Sequence, residues 1–329
     1  MQTSALRFEL VPAEGPILDE ILTATFDVWH EGLSRRAYDR YYTAQLATPW
    51  GLSALRRWAL VDAGAVLASA KVYQFSGVLD GQSIRIAGLG AVFTQPAHRG
   101  RGYARMLVDR ILERAAADGA DLALLFSEIG PDYYARLEFS VIPRSGLTLT
   151  VVESDRRGAP ATLVRAGEDR DVNDLVAMGQ VRSAPYRLHL RRDRDLVNFA
   201  IAKKRRLAGL GAPGARQAQF FIAEEGASAV AYVLISARAS TWTIEEAGDR
   251  DPSGARLGAI LQALIARDPA ERRPAIDGWL PGDFSPPQVH IVERRSSAET
   301  MMIRPLTARG TPASALSEHE VLFWNGDVF

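Results

Sequence analysis

The chain contains no cysteine. That excludes disulfides, thiolate metal sites and a cysteine nucleophile, and leaves the redox compartment unspecified. Lysine is nearly absent: of 39 basic residues only Lys71, Lys203 and Lys204 are not arginine, a bias that codon composition of the source genome accounts for. Net charge is absent too, with 39 basic against 39 acidic side chains. Neither a nucleic-acid partner nor an anionic membrane surface therefore has an electrostatic case. No apolar run approaches the roughly 18 residues that span a bilayer. The opening MQTSALRFEL has no basic stretch followed by an apolar core, so no signal peptide is expected. His98, His189, His290 and His319 have no metal-ligand spacing, and no metal is expected. The expected location is the cytoplasm, and nothing indicates an oligomer.

What is present is enough apolar material for real cores, 47% of 329 residues, at a length that predicts two domains of ordinary size. The pattern centres on Gly88 to Leu107, GLGAVFTQPAHRGRGYARML. An apolar run ends at Thr94-Gln95-Pro96; a glycine- and arginine-rich turn follows, then an apolar stripe at helical spacing. Strand, glycine-rich turn and helix together make an anion site, because unpaired N–H groups converge there and the helix dipole adds about half a positive charge. Gly100 and Gly102 leave the main chain open to phosphate oxygens, and Arg99, Arg101 and Arg105 add positive charge. The turn lacks the lysine and hydroxyl of a Walker loop and does not read as a dinucleotide fingerprint.

In chain order the pattern predicts a short strand from Leu6 to Val11, then helices over Ile17–Val28 and Ser34–Leu46. Strands follow at Trp58–Val61, Val66–Phe75 and Ser83–Phe93, the last two joined by an Asp-Gly turn. Next come the helix after the turn, a fully apolar strand Leu122–Phe126 and a short helix at Tyr133-Tyr134. Strands Ser140–Pro143 and Ser145–Val152 end the first half. Ser154–Pro160 reads as a polar linker. The second half has helical stretches at Asp171–Met178 and Asp193–Leu207. Strands are read near Phe220–Ala223, Ala229–Ser236, Thr241–Glu246 and Ala275–Leu280. A helix is expected from Pro252 with Asp251 as its N-cap, and Lys203-Lys204-Arg205-Arg206 reads as a solvated helix end.

The R-x-x-G-x-A spacing of Arg99, Gly102 and Ala104 after a hydrophobic strand is similar to the acetyl-CoA signature of the GNAT superfamily of N-acetyltransferases. Tyr134-Ala-Arg-Leu-Glu-Phe139 resembles that family's Y-x-x-x-G-F box, with Glu138 in place of the glycine. The resemblance covers residues 1 to about 152. It implies an α/β fold with a mixed sheet, acetyl-CoA as cosubstrate and a catalytic domain at residues 1–153. The second half repeats the order of elements but carries Glu245, Glu246, Asp249 and Asp251 where the first has its arginine-glycine turn. Those carboxylates would repel a diphosphate, so residues 161–329 read as a degenerate GNAT-like domain with a C-terminal tail. In motif, GAVFTQPAHRGRGYA and LFSEIGPDYYA are most similar to the fungal lysine N6-acetyltransferase family. The two-domain layout also resembles the Eis-type acetyltransferases.

The resemblance implies transfer of an acetyl group to a primary amine of a small, lysine-like acceptor. An alkyl amine with a pKa of ~10.4 is neutral about once in 2,500 molecules at pH 7, roughly 4.6 kcal/mol uphill, so a base or a desolvated site is needed. The main chain of Val92, Phe93 and Thr94 is expected to polarise the thioester and pair with the pantetheine arm. Arg99, Gly100, Arg101, Gly102, Tyr103, Ala104 and Arg105 are expected to hold the diphosphate. Tyr134 is the general-acid candidate for the leaving sulfur, with Tyr133 adjacent; the alternative is a tyrosine that merely packs a helix start. Glu128, at the end of the diverging strand, is the first base candidate, an ordinary solvated carboxylate being the alternative. Glu31 is the second, and Trp29, Glu31 and Tyr41 are assigned to the acceptor. The tail ends in Val321, Leu322, Phe323, Trp324, Val328 and Phe329, too apolar to lie in water. It is expected to dock near the acceptor. The Eis-type resemblance adds the terminal carboxylate of Phe329 as a third base candidate. Acetylation of a protein N-terminus or lysine, and a non-catalytic acyl-CoA-binding regulator, remain open.

Overall fold

A computed structural model of the chain describes residues 8–152, 163–282, 284–327 and 329. The expected linker at 154–160, Val328 and the start of the first expected strand lie outside these. The early elements are β1 (Glu9–Pro12), α1 (Gly15–Trp29), α2 (Arg35–Leu46), α3 (Pro49–Ala54), β2 (Leu55–Asp62), β3 (Ala65–Leu79) and β4 (Gln82–Thr94). They are followed by α4 (Tyr103–Ala117), β5 (Leu122–Ser127), α5 (Asp132–Ala135) and β6 (Ser140–Ile142). Then come β7 (Ser145–Val151), β8 (Leu163–Ala166), α6 (Val172–Ser183), β9 (Leu188–Leu190), α7 (Arg194–Leu210), β10 (Gln217–Glu225), β11 (Ser228–Arg238) and β12 (Thr241–Asp249). The chain ends with α8 (Ala255–Ile265), β13 (Ala275–Gly278), β14 (Val289–Ser296), β15 (Thr300–Pro305) and β16 (Val321–Leu322).

Two compact units result. The first comprises Met1–Pro143, Glu299–Leu316 and Phe329; the second comprises Arg144–Ala298 and Ser317–Val328. This partition differs from a single cut at residue 153, for a reason that lies in strand pairing. β7 joins the second unit's sheet, between β13 and β14, while β15 enters the first unit's sheet between β5 and β6. A short apolar run at Met301-Met302-Ile303, buried in that slot, is the sequence trace of the exchange.

In the first unit the strand path is β1-β2-β3-β4-β5-β15-β6. β1 to β4 are antiparallel neighbours, and β4 and β5 are parallel. Asp80-Gly81 makes the β3–β4 turn with both φ angles positive, 49° and 78°, as a two-residue hairpin loop requires. Alternation then sorts the side chains. Ala68, Ala70, Val72 and Leu89 face Leu107, Val108, Ile111 and Leu112 of α4 in one core. Ala59 and Val61 pack with Ile21 of α1 on the opposite face. Tyr73 and Phe75, alternating with Val72, also lie on that opposite face, where Trp50 of α3 stacks on both rings.

The second unit has its own sheet, in the order β14-β7-β13-β12-β11-β10-β8. β12 and β13 are its parallel pair, and α8 packs Leu257, Ile260, Leu261 and Leu264 onto the sheet. Both units are mixed α/β sheets with a parallel pair preceded by antiparallel strands. The expectation of one fold repeated holds.

Candidate active site

The turn after β4 is built as the sequence reading expects of an anion cradle. Gly100 and Gly102 have φ of 75° and 80°, a left-handed backbone that other residues enter only at a cost. A Cβ on either would meet no atom within 4 Å, so the glycines serve the backbone path and leave open space before it. Gly102 is the N-cap of α4 and no side chain caps that end. The first-turn amides of α4, from Tyr103, Ala104 and Arg105, therefore have no intrahelical acceptor. Arg99, Arg101 and Arg105 are exposed around them. Arg99 Nε donates to the Thr94 carbonyl at 3.3 Å and its guanidinium lies 5.9 Å from the Phe93 ring centre. These residues fit a diphosphate, with open first-turn donors and exposed arginines, of which Arg105 also pairs with Asp109 at 3.6 Å.

β4 changes register just before this turn. Ser69 pairs with Phe93 and Lys71 with Gly90, so Ala91 and Val92 together oppose Ala70. Ala91 has a φ of 48°. A bulge of this kind leaves one residue without a ladder partner and re-aims its backbone. The β4–β5 pairing also stops here, running only from Ile86↔Leu122 to Leu89↔Leu125. The last five residues of β4 thus lie beyond the pairing, in a cleft where the strands part.

The chain's last residue lies at the same level. The Phe329 ring is 4.5 Å from Tyr73, 5.4 Å from Phe75 and 5.4 Å from Phe126, centre to centre. A Cβ on Gly88 would stand 2.5 Å from the Phe329 ring, and one on Gly90 would stand 3.1 Å from the Phe329 carboxyl carbon and oxygen. Phe329 occupies the space that side chains at Gly88 and Gly90 would fill. Two glycines two apart on a strand signal such a close approach, a sign the sequence reading passed over. Val321, Leu322, Phe323 and Trp324 of the apolar tail are buried, with Leu322 and Trp324 in the second unit's core.

Tyr134 packs with Leu107, Val108 and Phe139, with Val92 and Tyr103 against the same cluster. Burial, and secondarily Tyr133, pushes its pKa up to about 12, so it keeps its proton at neutral pH. Its carbonyl accepts N–H bonds from Leu137 (2.9 Å) and Phe139 (3.1 Å), a C-cap that needs a left-handed residue at Glu138. Glu138 adopts it, with a φ of 63°. The glycine of the box is thus replaced without loss of the turn, and Arg304 Nη2 of β15 holds the Glu138 carboxylate at 2.8 Å. Glu128 lies one residue beyond β5 and is exposed; Glu31, with a φ of 54°, is exposed between α1 and α2. Trp29 meets Phe93 edge-on at 6.0 Å, and Tyr41 is half-buried. Among the described residues no group of three or more His, Asp or Glu side chains can hold a metal ion.

The second unit has the same framework filled from within. The β11–β12 register slips at Glu245, between Leu234↔Glu246 and Ile235↔Ile244, and β12 runs on past its parallel pairing with β13. Into that space comes the chain's own tail. Asn325 Nδ2 donates to the Ile244 carbonyl at 3.2 Å, and a Cβ on Gly326 would stand 3.4 Å from the Glu245 carbonyl oxygen. At the start of α8 the buried Asp249 carboxylate accepts from the N–H groups of Arg256 (2.8 Å), Leu257 (2.9 Å) and Asp251 (2.8 Å). Asp251 is not the N-cap expected of it: Gly254 takes that position in a left-handed conformation, and Asp251 bonds Ser253 instead. Lys203 to Arg206 lie inside α7, not at a solvated end. Lys204 pairs with Glu245 at 2.9 Å, Arg205 lies over Phe220, and burial beside Lys204 lowers the Lys203 pKa to about 8. Glu246 is held by Arg192 at 2.6 Å and by the Tyr232 hydroxyl.

Comparison with known proteins agrees with this geometry. Residues 20–142 match the family model of the acetyltransferase (GNAT) domain. No curated protein matches the chain in sequence. Among solved structures, a GCN5-related N-acetyltransferase from Anabaena variabilis superposes with a TM-score of 0.67 at 11% identity, covering 92% of this chain and 73% of its own. Eis1 from Mycobacterium abscessus gives 0.54 at 15% identity, over 91% and 73%. A tandem GNAT protein from the clavulanic acid biosynthesis pathway gives 0.53 at 14% identity, over 91% and 98%. At these identities the likeness is one of fold, and the last extends it to the two-unit layout. No helix among the described residues is long and apolar enough to cross a membrane. Residues 20–142 thus match a GNAT acetyltransferase domain, which marks the chain as an acetyltransferase, and its two units share one kind of fold.

Proposed function

We propose that the protein is an acetyl-CoA-dependent N-acetyltransferase whose acceptor is the primary amine of a small, lysine-like molecule, by direct attack in a ternary complex. The observation that carries this is the combination after β4: a bulge at Ala91-Val92 and an uncapped helix start, with Val92 and Tyr103 packed against the same core. The diphosphate binds at Gly100 to Arg105, and the pantetheine arm pairs with the free edge of Val92 to Thr94. Main-chain N–H groups at the bulge take the thioester oxygen, where preorganised donors favour the charge that develops during attack. The amine nitrogen attacks the carbonyl carbon, the C–S bond breaks, the amine proton passes to a base and the sulfur takes a proton from Tyr134.

For the base we favour the Phe329 carboxylate, on the strength of its approach to Gly90 beside the bulge. Glu128 and Glu31 are exposed, which makes them weaker candidates for work that needs exclusion of water. The local motif likeness to the fungal lysine N6-acetyltransferases supports a lysine-like acceptor. The first test is an amine screen with acetyl-CoA, following thiol release; tight CoA binding without turnover would favour a regulator. The second is two added glycines after Phe329. Abolished turnover with CoA binding intact is expected for a carboxylate base. Full activity in that extension returns the role to Glu128 or Glu31.

A further inference from the structure

The opposite face of the first sheet from α4 carries a buried cation that no hydrogen-bond acceptor among the described residues satisfies. Arg57 on β2 is 4% exposed, yet its Nε, Nη1 and Nη2 have no hydrogen-bond partner. A buried guanidinium without an acceptor is strongly unfavourable, and five N–H donors in a fixed fork suit one planar oxyanion. Its neighbours repeat the pattern: the Tyr42 hydroxyl and the Ser69 hydroxyl are also buried without a partner. The Tyr42 ring has the Arg57 guanidinium 5.1 Å from its centre and the Lys71 ammonium 4.9 Å from it. A ring face cannot replace a hydrogen-bond acceptor for the Arg57 guanidinium.

The register ties this cluster to the bulge. Arg57 pairs with Lys71, and Lys71 pairs with Gly90, so the three lie in one row across the sheet. Directly paired residues point to the same face, and that is the face on which the Phe329 carboxyl group approaches Gly90. Two strand spacings put the Arg57 backbone roughly 10 Å from Gly90, and the bulge at Ala91 is the next residue.

We propose that Arg57 binds the carboxylate of the acceptor, and that the acceptor is an amino acid whose reacting amine is several bonds removed from that carboxylate. This rests on the reading of the bulge as the acyl-transfer centre. The guanidinium takes the carboxylate through two parallel N–H bonds, and Tyr42 and Ser69 close the same polar recess. With the carboxylate fixed there, the chain of the acceptor runs along the row toward Gly90 and brings its amine to the thioester. The site discriminates because an amine lacking the anion leaves the guanidinium buried and unpaired.

The test uses the full chain with acetyl-CoA and matched amines: lysine against cadaverine, aminohexanoate against hexylamine, aminobutyrate against butylamine, and phosphoethanolamine against ethanolamine. In at least one carboxylate pair the anionic member should be favoured by about tenfold or more in kcat/KM, mostly through KM. Arg57→Gln should erase that preference while CoA affinity stays unchanged. Equal use of both members, or a preference that survives Arg57→Gln, overturns the proposal. A preference for phosphoethanolamine alone assigns the recess to a phosphate and overturns the carboxylate. If CoA binds but no amine releases thiol, the acyl-transfer reading fails, and the recess is judged by melting temperature. The panel carboxylates should then raise Tm of the wild type and not of Arg57→Gln; no rise in the wild type overturns the assignment. Arg57→Met should itself raise the Tm of the ligand-free protein, since it removes an unpaired buried charge. A fall would mark Arg57 as structural and overturn its role.

Discussion

Tyr134 and Glu138 lie four apart in one box and are set by opposite pressures. Burial keeps the Tyr134 proton on, with a pKa of about 12. Tyr134→Phe is expected to lower kcat by ~10² to 10⁴ while CoA affinity stays the same; a rate within about threefold of wild type would remove the assignment. Because the folded pKa lies above the ordinary tyrosine value, this residue's contribution to stability is complete below pH 10 and is lost between pH 10 and about 12. Burial raises Tyr42, Tyr73 and Tyr232 in the same direction. Alkaline unfolding should therefore release phenolate absorbance cooperatively, beyond that of the exposed tyrosines. Glu138 is held against its preference, at a φ of 63°. A left-handed non-glycine residue costs about 1–2 kcal/mol, and its ion pair with Arg304 is mostly solvent-exposed on the Glu138 side and worth ~1 kcal/mol at most. Glu138→Gly should leave stability equal or raise it by about 1 kcal/mol, measured by urea unfolding.

At the scale of elements, the end of β4 holds both the bulge and the glycines that admit the C-terminus. Gly88→Ala would put a methyl group 2.5 Å from the Phe329 ring, so ring or strand must move. The expected result is a C-terminus open to carboxypeptidase and a turnover loss resembling removal of Phe329. Resistance equal to wild type would mean the ring has another seat. In the second unit, α8 begins on Asp249, whose three N–H bonds replace an external anion. Asp249→Ala leaves those donors buried without an acceptor and should cost about 2 kcal/mol. A change under about 0.5 kcal/mol would show that water substitutes for it.

For the whole molecule, each unit has a parallel pair, a bulge and a following helix, but only the first leaves its helix end uncapped. Calorimetry should therefore find one CoA per chain. Arg99→Glu combined with Gly102→Asp should weaken that binding by well over tenfold, through two negative charges placed at the diphosphate. A stoichiometry of two would refute the reading of the second unit as self-filled.

Most strands and helices of the first unit, and the glycine turn after β4, could be read from the sequence, because each depends on local periodicity and on glycines at fixed offsets; α3, β8, β9, β14 and β15 were not read. The repeat of the order of elements was legible for the same reason, and Glu245, Glu246 and Asp249 already marked the second half as different. What they do there was not legible: Asp249 caps a helix whose start is six residues on, and Lys204 reaches Glu245 from another element. The placement of β15 between β5 and β6, and of β7 in the other sheet, was also hidden, since a strand's own residues specify its pleat and not its neighbour. Arg57, Lys71 and Gly90 stand in one row only because two register choices align them. Composition alone determined that no thiol chemistry is available. Which carboxylate and which cation face the bulge was decided only when the sheet assembled, because those distances are set by hydrogen-bond register between strands far apart in the chain.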